Sequence, residues 1–220
     1  MAEKVLLNEY KALSKETWTN ISLIADNIFE WSVALIVLNP DSLYYGGYFK
    51  CTMKFPQNYP FSPPDFRFNR PLWHPNVYPD GRLCISILHQ PGEDVMSGES
   101  AGERWSPVQR VESVLISVLS LLDDAEVSSP ANVDAGVQFR GDVKGYQERV
   151  RQDREKSKED IPEGFVMPTH ESAFKEEKVE DTFSWSDSEA EDDFASDGSD
   201  VDEDMFDDEG EETGDDGDEE

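Results

Sequence analysis

The sequence predicts an α+β fold on three observations. A helix-period segment opens the chain, several two-residue-period segments follow it, and helix-period segments return before residue 160. Charge sets the boundary of the folded part. Residues 176–220 hold 24 acidic residues and one lysine, which is −23 of the total −30. The preceding 175 residues carry only −7 and contain nearly all the apolar runs. The expectation is one folded domain over residues 1–160, large enough for a continuous core, then a linker and disordered acidic tail over 161–220.

Leu6, Tyr10 and Leu13 recur at i, i+4 and i+7, one face of a first helix. The period then changes to two. Ile21, Leu23 and Ala25 alternate with other residues, as do Trp31, Val33, Leu35 and Val37. Phe49, Cys51, Met53 and Phe55 make a third run, Phe66 and Phe68 a shorter fourth. Short connections at Asp26-Asn27 and Asn39-Pro40-Asp41 favour an antiparallel meander.

From Pro56 to Gly81 prolines stand at 56, 60, 63, 64, 71, 75 and 79, a density that neither helix nor central strand tolerates. A long irregular segment of this kind is usually functional. Residues 90–103 are rich in Gly, Ser and acidic side chains and read as an acidic loop. Ser106-Pro107-Val108-Gln109 predicts a helix start with Ser106 as its cap, followed by a buried stripe of Val111, Val114, Leu115, Val118 and Leu122. Ser129-Pro130 repeats the device for a helix running towards Phe139, and Val143–Glu159 reads as a charged, exposed helix.

Composition excludes several classes of function. Two cysteines make no secreted disulfide framework, and no metal-ligand spacing is present, so no metal site is expected. The Met1–Lys15 segment lacks the apolar run of a signal peptide, and Val111–Leu122 is too short to span a bilayer. The acidity argues against nucleic acid and anionic membrane and for basic protein surfaces. Of the two thiols, Cys51 falls on an apolar strand face and reads as a small buried hydrophobe. Cys84 follows Asp80-Gly81-Arg82-Leu83 at a turn in irregular backbone, where a thiol is accessible.

Five strings surround Cys84 in order: Tyr44-Tyr45-Gly46-Gly47-Tyr48-Phe49, Phe55-Pro56, Tyr59-Pro60-Phe61-Ser62-Pro63-Pro64, His74-Pro75-Asn76 and Gly81-Arg82-Leu83-Cys84-Ile85. Trp105-Ser106-Pro107 and Ser129-Pro130-Ala131 continue them. Over roughly residues 3–140 this pattern resembles the ubiquitin-conjugating enzymes. The loop between Cys84 and Trp105, with serine at 86 and 129, resembles their cell-cycle, cullin-associated subgroup.

The resemblance implies that Cys84 takes ubiquitin from an activating enzyme as a thioester and yields it to lysine amines beside a RING-type or cullin-based ligase. Degradation-type chains, residence in cytoplasm and nucleus, and no cofactor of its own are part of that expectation, ATP being consumed by the activating enzyme. It makes Asn76 a candidate oxyanion donor, with loop fastening as the alternative, and His74 a packing residue. Many members carry aspartates at the positions of Ser86 and Ser129. Here Glu93, Asp94, Glu99 and Glu103 of the acidic loop are the candidates to supply that charge. Lys4 and Lys11 match the activating-enzyme contact, Phe61 and Pro107 the ligase contacts, and Trp105 reads as core. The acidic tail, punctuated by Phe183, Trp185, Phe194 and Phe206, matches a segment that engages a basic cullin region, and Ser186, Ser188 and Ser199 suit acidophilic kinases. The rival readings are a non-catalytic binding module and a thiol protease using Cys84 with His89.

Overall fold

The computed structural model describes residues 1–92 and 98–173; Glu93, Asp94 and the tail positions named above lie outside them. Helix α1 spans Ala2–Leu13 and buries Leu6 and Leu13, while Tyr10 meets the Trp31 ring edge-on at 5.3 Å. Strands β1 (Thr19–Ile24), β2 (Asn27–Ile36), β3 (Tyr48–Lys54) and β4 (Asp65–Phe68) then form an antiparallel meander in that order.

Register follows the alternation. Trp31 faces Met53, Val33 faces Cys51 and Leu35 faces Phe49, while Cys51 and Met53 face Phe68 and Phe66 across the next pair. All of these sit on one face and are buried. Cys51 is wholly enclosed, and burial pushes its thiol far above the ordinary range, so it stays protonated. The β1–β2 connection differs from expectation by one residue. Ala25 and Asp26 hold φ of 51° and 56°, forming the two-residue turn, so Ala25 leaves the strand.

Helix α2 (Val111–Asp123) adds its five-residue stripe to this core. It starts later than the Ser106-Pro107 pattern predicts. Ser106 to Gln109 is instead a turn, closed by the Gln109 N–H on the Ser106 carbonyl at 3.0 Å. Two acceptors replace the expected cap: Ser113 Oγ, within the same turn, takes the Arg110 N–H at 2.9 Å, and Glu9 of α1, distant in sequence, takes that of Val111 at 2.7 Å. Helix α3 (Val133–Gly141) likewise begins beyond Ser129, with the Asn132 side chain accepting from Ala135 N at 3.1 Å. Helix α4 (Val143–Ser157) is not wholly exposed, since Tyr146 and Val150 are buried against α3 and the core.

Ordered packing continues past residue 160, the boundary expected from composition. Ile161, Phe165, Met167 and Ala173 pack on Ala34, Ile36 and Tyr48, outward apolar positions of the sheet, and on Leu38 just beyond β2. The Phe165 ring meets Tyr48 at 5.6 Å, and Ser157 Oγ accepts the Tyr48 N–H at 3.0 Å. A short helix α5 (His170–Ala173) ends this strap. Among the described residues, no helix is long and apolar enough to cross a membrane.

Candidate active site

A small hairpin explains the eight-residue spacing between Asn76 and Cys84. Val77 bridges Leu83, the Tyr78 N–H meets the Arg82 carbonyl at 2.9 Å, and the Cys84 N–H donates to the Asn76 carbonyl at 2.9 Å. Its turn needs glycine at 81. Gly81 has φ of +89°, and a Cβ there would lie 2.2 Å from the Phe68 carbonyl oxygen. That contact holds the hairpin against β4, where the Phe68 N–H donates to Gly81 O at 2.8 Å.

Cys84 is half-buried at the end of this hairpin, just before a 3-10 turn at Ser86–Leu88. Burial raises its thiol pKa, the neighbouring Tyr78 hydroxyl lowers it, and the nearby Glu99 charge raises it again. The net effect is upward, so at neutral pH this thiol is mostly protonated. Tyr78 is a site residue that sequence reasoning missed. The only hint was its place two residues after Asn76, in a Pro79-Asp80-Gly81 turn. Arg82 lies over its ring, 5.1 Å from the centroid.

Asn76 is buried, and its side chain spans to the backbone of Glu126. Nδ2 donates to the Glu126 carbonyl and Oδ1 accepts the Glu126 N–H, both at 2.9 Å. This is the loop-fastening geometry. Asn132 N donates to Pro75 O at 2.8 Å, so the segment carrying exposed Ser129 is pinned to the His74-Pro75-Asn76 strip near both its ends. His74 packs in the core and accepts the Asn76 N–H on Nδ1 at 3.0 Å.

Glu99 is the acidic-loop residue that the structure brings to the cysteine side. It accepts from Ser86 Oγ at 2.9 Å and Arg104 Nε at 3.0 Å, and lies 2.8 Å from His89 Nδ1. Burial raises its pKa, but the bonds from His89, Arg104 and Ser86 together hold the carboxyl below its ordinary value. The loop closes where the Trp105 N–H donates to the His89 carbonyl at 3.1 Å. His89 therefore orients its Nδ1 to Glu99 at 2.8 Å, which does not support a Cys-His protease reading. Glu103 caps a turn inside the loop, accepting from Ser100 N at 2.8 Å and Ser100 Oγ at 3.0 Å. Arg104 had no place in the sequence reading.

The candidate binding residues lie elsewhere on the surface. Lys4 and Lys11 are exposed on α1, Phe61 is 60% exposed, and Pro107 is exposed beside Val108. Trp105 is core: its Nε1–H donates to the Pro60 carbonyl at 2.7 Å and its ring lies 5.8 Å from Tyr59.

A family profile described as "Ubiquitin-conjugating enzyme" matches residues 5–154. The chain is 54% identical over 178 residues to "Ubiquitin-conjugating enzyme E2-34 kDa" of Saccharomyces cerevisiae, covering 79% of this chain and 60% of that protein's length. It is 53% identical over 133 residues to "Ubiquitin-conjugating enzyme E2 13" of Arabidopsis thaliana, covering 60% of this chain and 80% of the relative. With human "Ubiquitin-conjugating enzyme E2 G2" it shares 45% over 159 residues, 71% of this chain and 96% of the relative. The matched stretch contains the meander, the hairpin that carries Cys84 and the helices behind it, so this chain belongs to the ubiquitin-conjugating enzyme family.

Proposed function

We propose that the chain accepts ubiquitin from an activating enzyme as a thioester on Cys84 and passes it to lysine amines with a RING or cullin-based ligase. One observation carries this reading: a single half-exposed thiol stands at the end of a rigid hairpin, next to Asn76 and Tyr78. In the first step the Cys84 sulfur attacks the thioester carbonyl of the activating enzyme, whose own sulfur leaves and takes up the proton that Cys84 gives up. In the second, a lysine nitrogen attacks the Cys84 thioester, loses a proton, and expels the Cys84 thiolate.

Asn76 stiffens the loop, and the Nδ2 hydrogen not given to the Glu126 carbonyl is the candidate donor to the transient oxyanion. Loss of such a donor costs about 2–4 kcal/mol in acyl transfer. Ser86 and Ser129 are poor bases, so the carboxylates of Glu99, Glu93 and Asp94 supply negative charge for the incoming lysine. Lys4 and Lys11 meet the activating enzyme, and Phe61 and Pro107 meet the ligase. The acidic tail steers the molecule towards a basic scaffold surface in a salt-sensitive manner. Degradation-type chains, a cell-cycle setting and action in cytoplasm and nucleus complete the reading. No cofactor of its own is required, since ATP is consumed by the activating enzyme.

The test is incubation with activating enzyme, ATP and ubiquitin, read on a non-reducing gel beside Cys84→Ala. A thiol-sensitive adduct on the wild type alone is expected. Its absence, with activating enzyme visibly charged, would leave the non-catalytic binding module as the better reading. Replacing Glu93 and Asp94 with alanine is expected to slow chain building more than charging of Cys84. Equal effects on both steps would remove the loop from the chemistry.

A further inference from the structure

Glu9 projects from α1 into the seam between the proline-rich segment and the start of α2. The Tyr59 hydroxyl lies 2.9 and 3.1 Å from its two carboxylate oxygens, and the Val111 N–H donates to Oε2 at 2.7 Å. Val111 opens α2, so this N–H has no partner inside its own helix, and a carboxylate there also meets the positive end of the helix dipole. Burial raises the pKa of this carboxyl, against the Val111 and Tyr59 bonds and the Arg110 charge.

The lattice extends from there. Tyr59 is followed by Pro60, whose carbonyl takes the Trp105 indole N–H at 2.7 Å, and the Tyr59 and Trp105 rings pack at 5.8 Å. Immediately beyond these fixed points stand the exposed apolar side chains of two loops. Phe61 follows Pro60 and is 60% exposed; Val108 comes three residues after Trp105 and is 84% exposed. One carboxylate thus anchors Tyr59 and the start of α2 at once, and with them both loop bases.

We infer that Glu9 is a positioning residue for ligase engagement, fixing the Phe61 and Val108 loops relative to each other so that the partner meets a preformed apolar surface. This rests on the reading of Phe61 and Pro107 as ligase contacts. A preformed surface spares the partner the ordering of two loops, so losing the anchor weakens engagement without slowing transfer once the complex exists.

The experiment charges the full-length chain with ubiquitin and titrates a RING domain that stimulates its discharge. Glu9→Gln keeps the size and one acceptor oxygen but removes the charge and the second acceptor. Its half-saturating RING concentration is expected to rise about tenfold, with the rate at saturation within twofold of wild type. The Trp105 indole N–H resonance is expected to shift in the folded variant. Tyr59→Phe should give a smaller rise, and the double variant should be no worse than Glu9→Gln alone. Phe61→Ala is the reference. If Phe61→Ala raises half-saturation and Glu9→Gln does not, the role of Glu9 is overturned and the loop assignment stands. If Phe61→Ala changes nothing, the loop assignment itself fails and takes this inference with it. Equal losses from Glu9→Gln in charging, ligase-free discharge and saturated rate would make Glu9 a stability residue only, which also overturns it.

Discussion

His74 shows how one side chain links stability to the site. Its Nδ1 accepts the Asn76 N–H at 3.0 Å, so the proton of the neutral ring sits on Nε2. Burial outweighs the nearby Leu121 and Leu122 carbonyls and lowers its pKa to about 4. The unfolded chain, with an ordinary histidine near 6.5, therefore binds a proton that the folded chain refuses. The contribution to stability is complete above pH ~6.5, erodes as pH falls, and is fully lost below about 4, a loss of about 3 kcal/mol from this group. Denaturant titrations between pH 7 and 4 are expected to show this slope, and His74→Asn, which keeps an acceptor for the Asn76 N–H, should flatten it. A slope unchanged in the variant would assign the acid sensitivity to other groups.

The helices show where local pattern stops being sufficient. Ser-Pro occurs ahead of both α2 and α3, and the helices begin four and three residues beyond the prolines, at Val111 and Val133. The alternating runs of β2 and β3 could be read because two buried positions out of every four leave a periodic trace. A cap leaves none when its acceptor comes from elsewhere in the chain, as Glu9 does for Val111. Tyr78 and Arg104 were hidden for the same reason, since their partners Cys84 and Glu99 meet them only after the hairpin and loop have closed. Cys84 stood out because the motif strings around it are contiguous in the sequence itself, its irregular surroundings marking it only as accessible. Asn132→Ala, which removes the cap that α3 uses, is expected to cost about 1 kcal/mol, while Ser129→Ala should stay within about 0.5 kcal/mol of wild type. Chemical denaturation of the two variants decides between the two caps, and a larger loss from Ser129→Ala would reverse the assignment.

Across the whole molecule, the sheet is covered on both faces, by helices and core on one and by the 161–173 strap on part of the other. Composition hid the strap, because Ile161, Phe165 and Met167 are scattered among polar residues and prolines. The trace that pointed to it was on β2, where Ala34 and Ile36 occupy outward positions and require a cover. A chain ending at residue 160 should lose about 2–3 kcal/mol, from three partly buried apolar side chains, and bind a hydrophobic dye more strongly. One ending at 173 should melt with the full-length protein. Equal melting of both truncations would show that the strap contributes nothing to stability.

The weakened acidity of the Cys84 thiol has a consequence for how the sulfur withstands oxidation. Peroxides and stray electrophiles consume the thiolate, so a sulfur that stays protonated is spared most of that damage while idle. A more basic sulfur is also the stronger nucleophile once its proton is gone. The Glu99 carboxylate and the partial burial around Cys84 thus both favour the protonated, less oxidisable sulfur in the free chain.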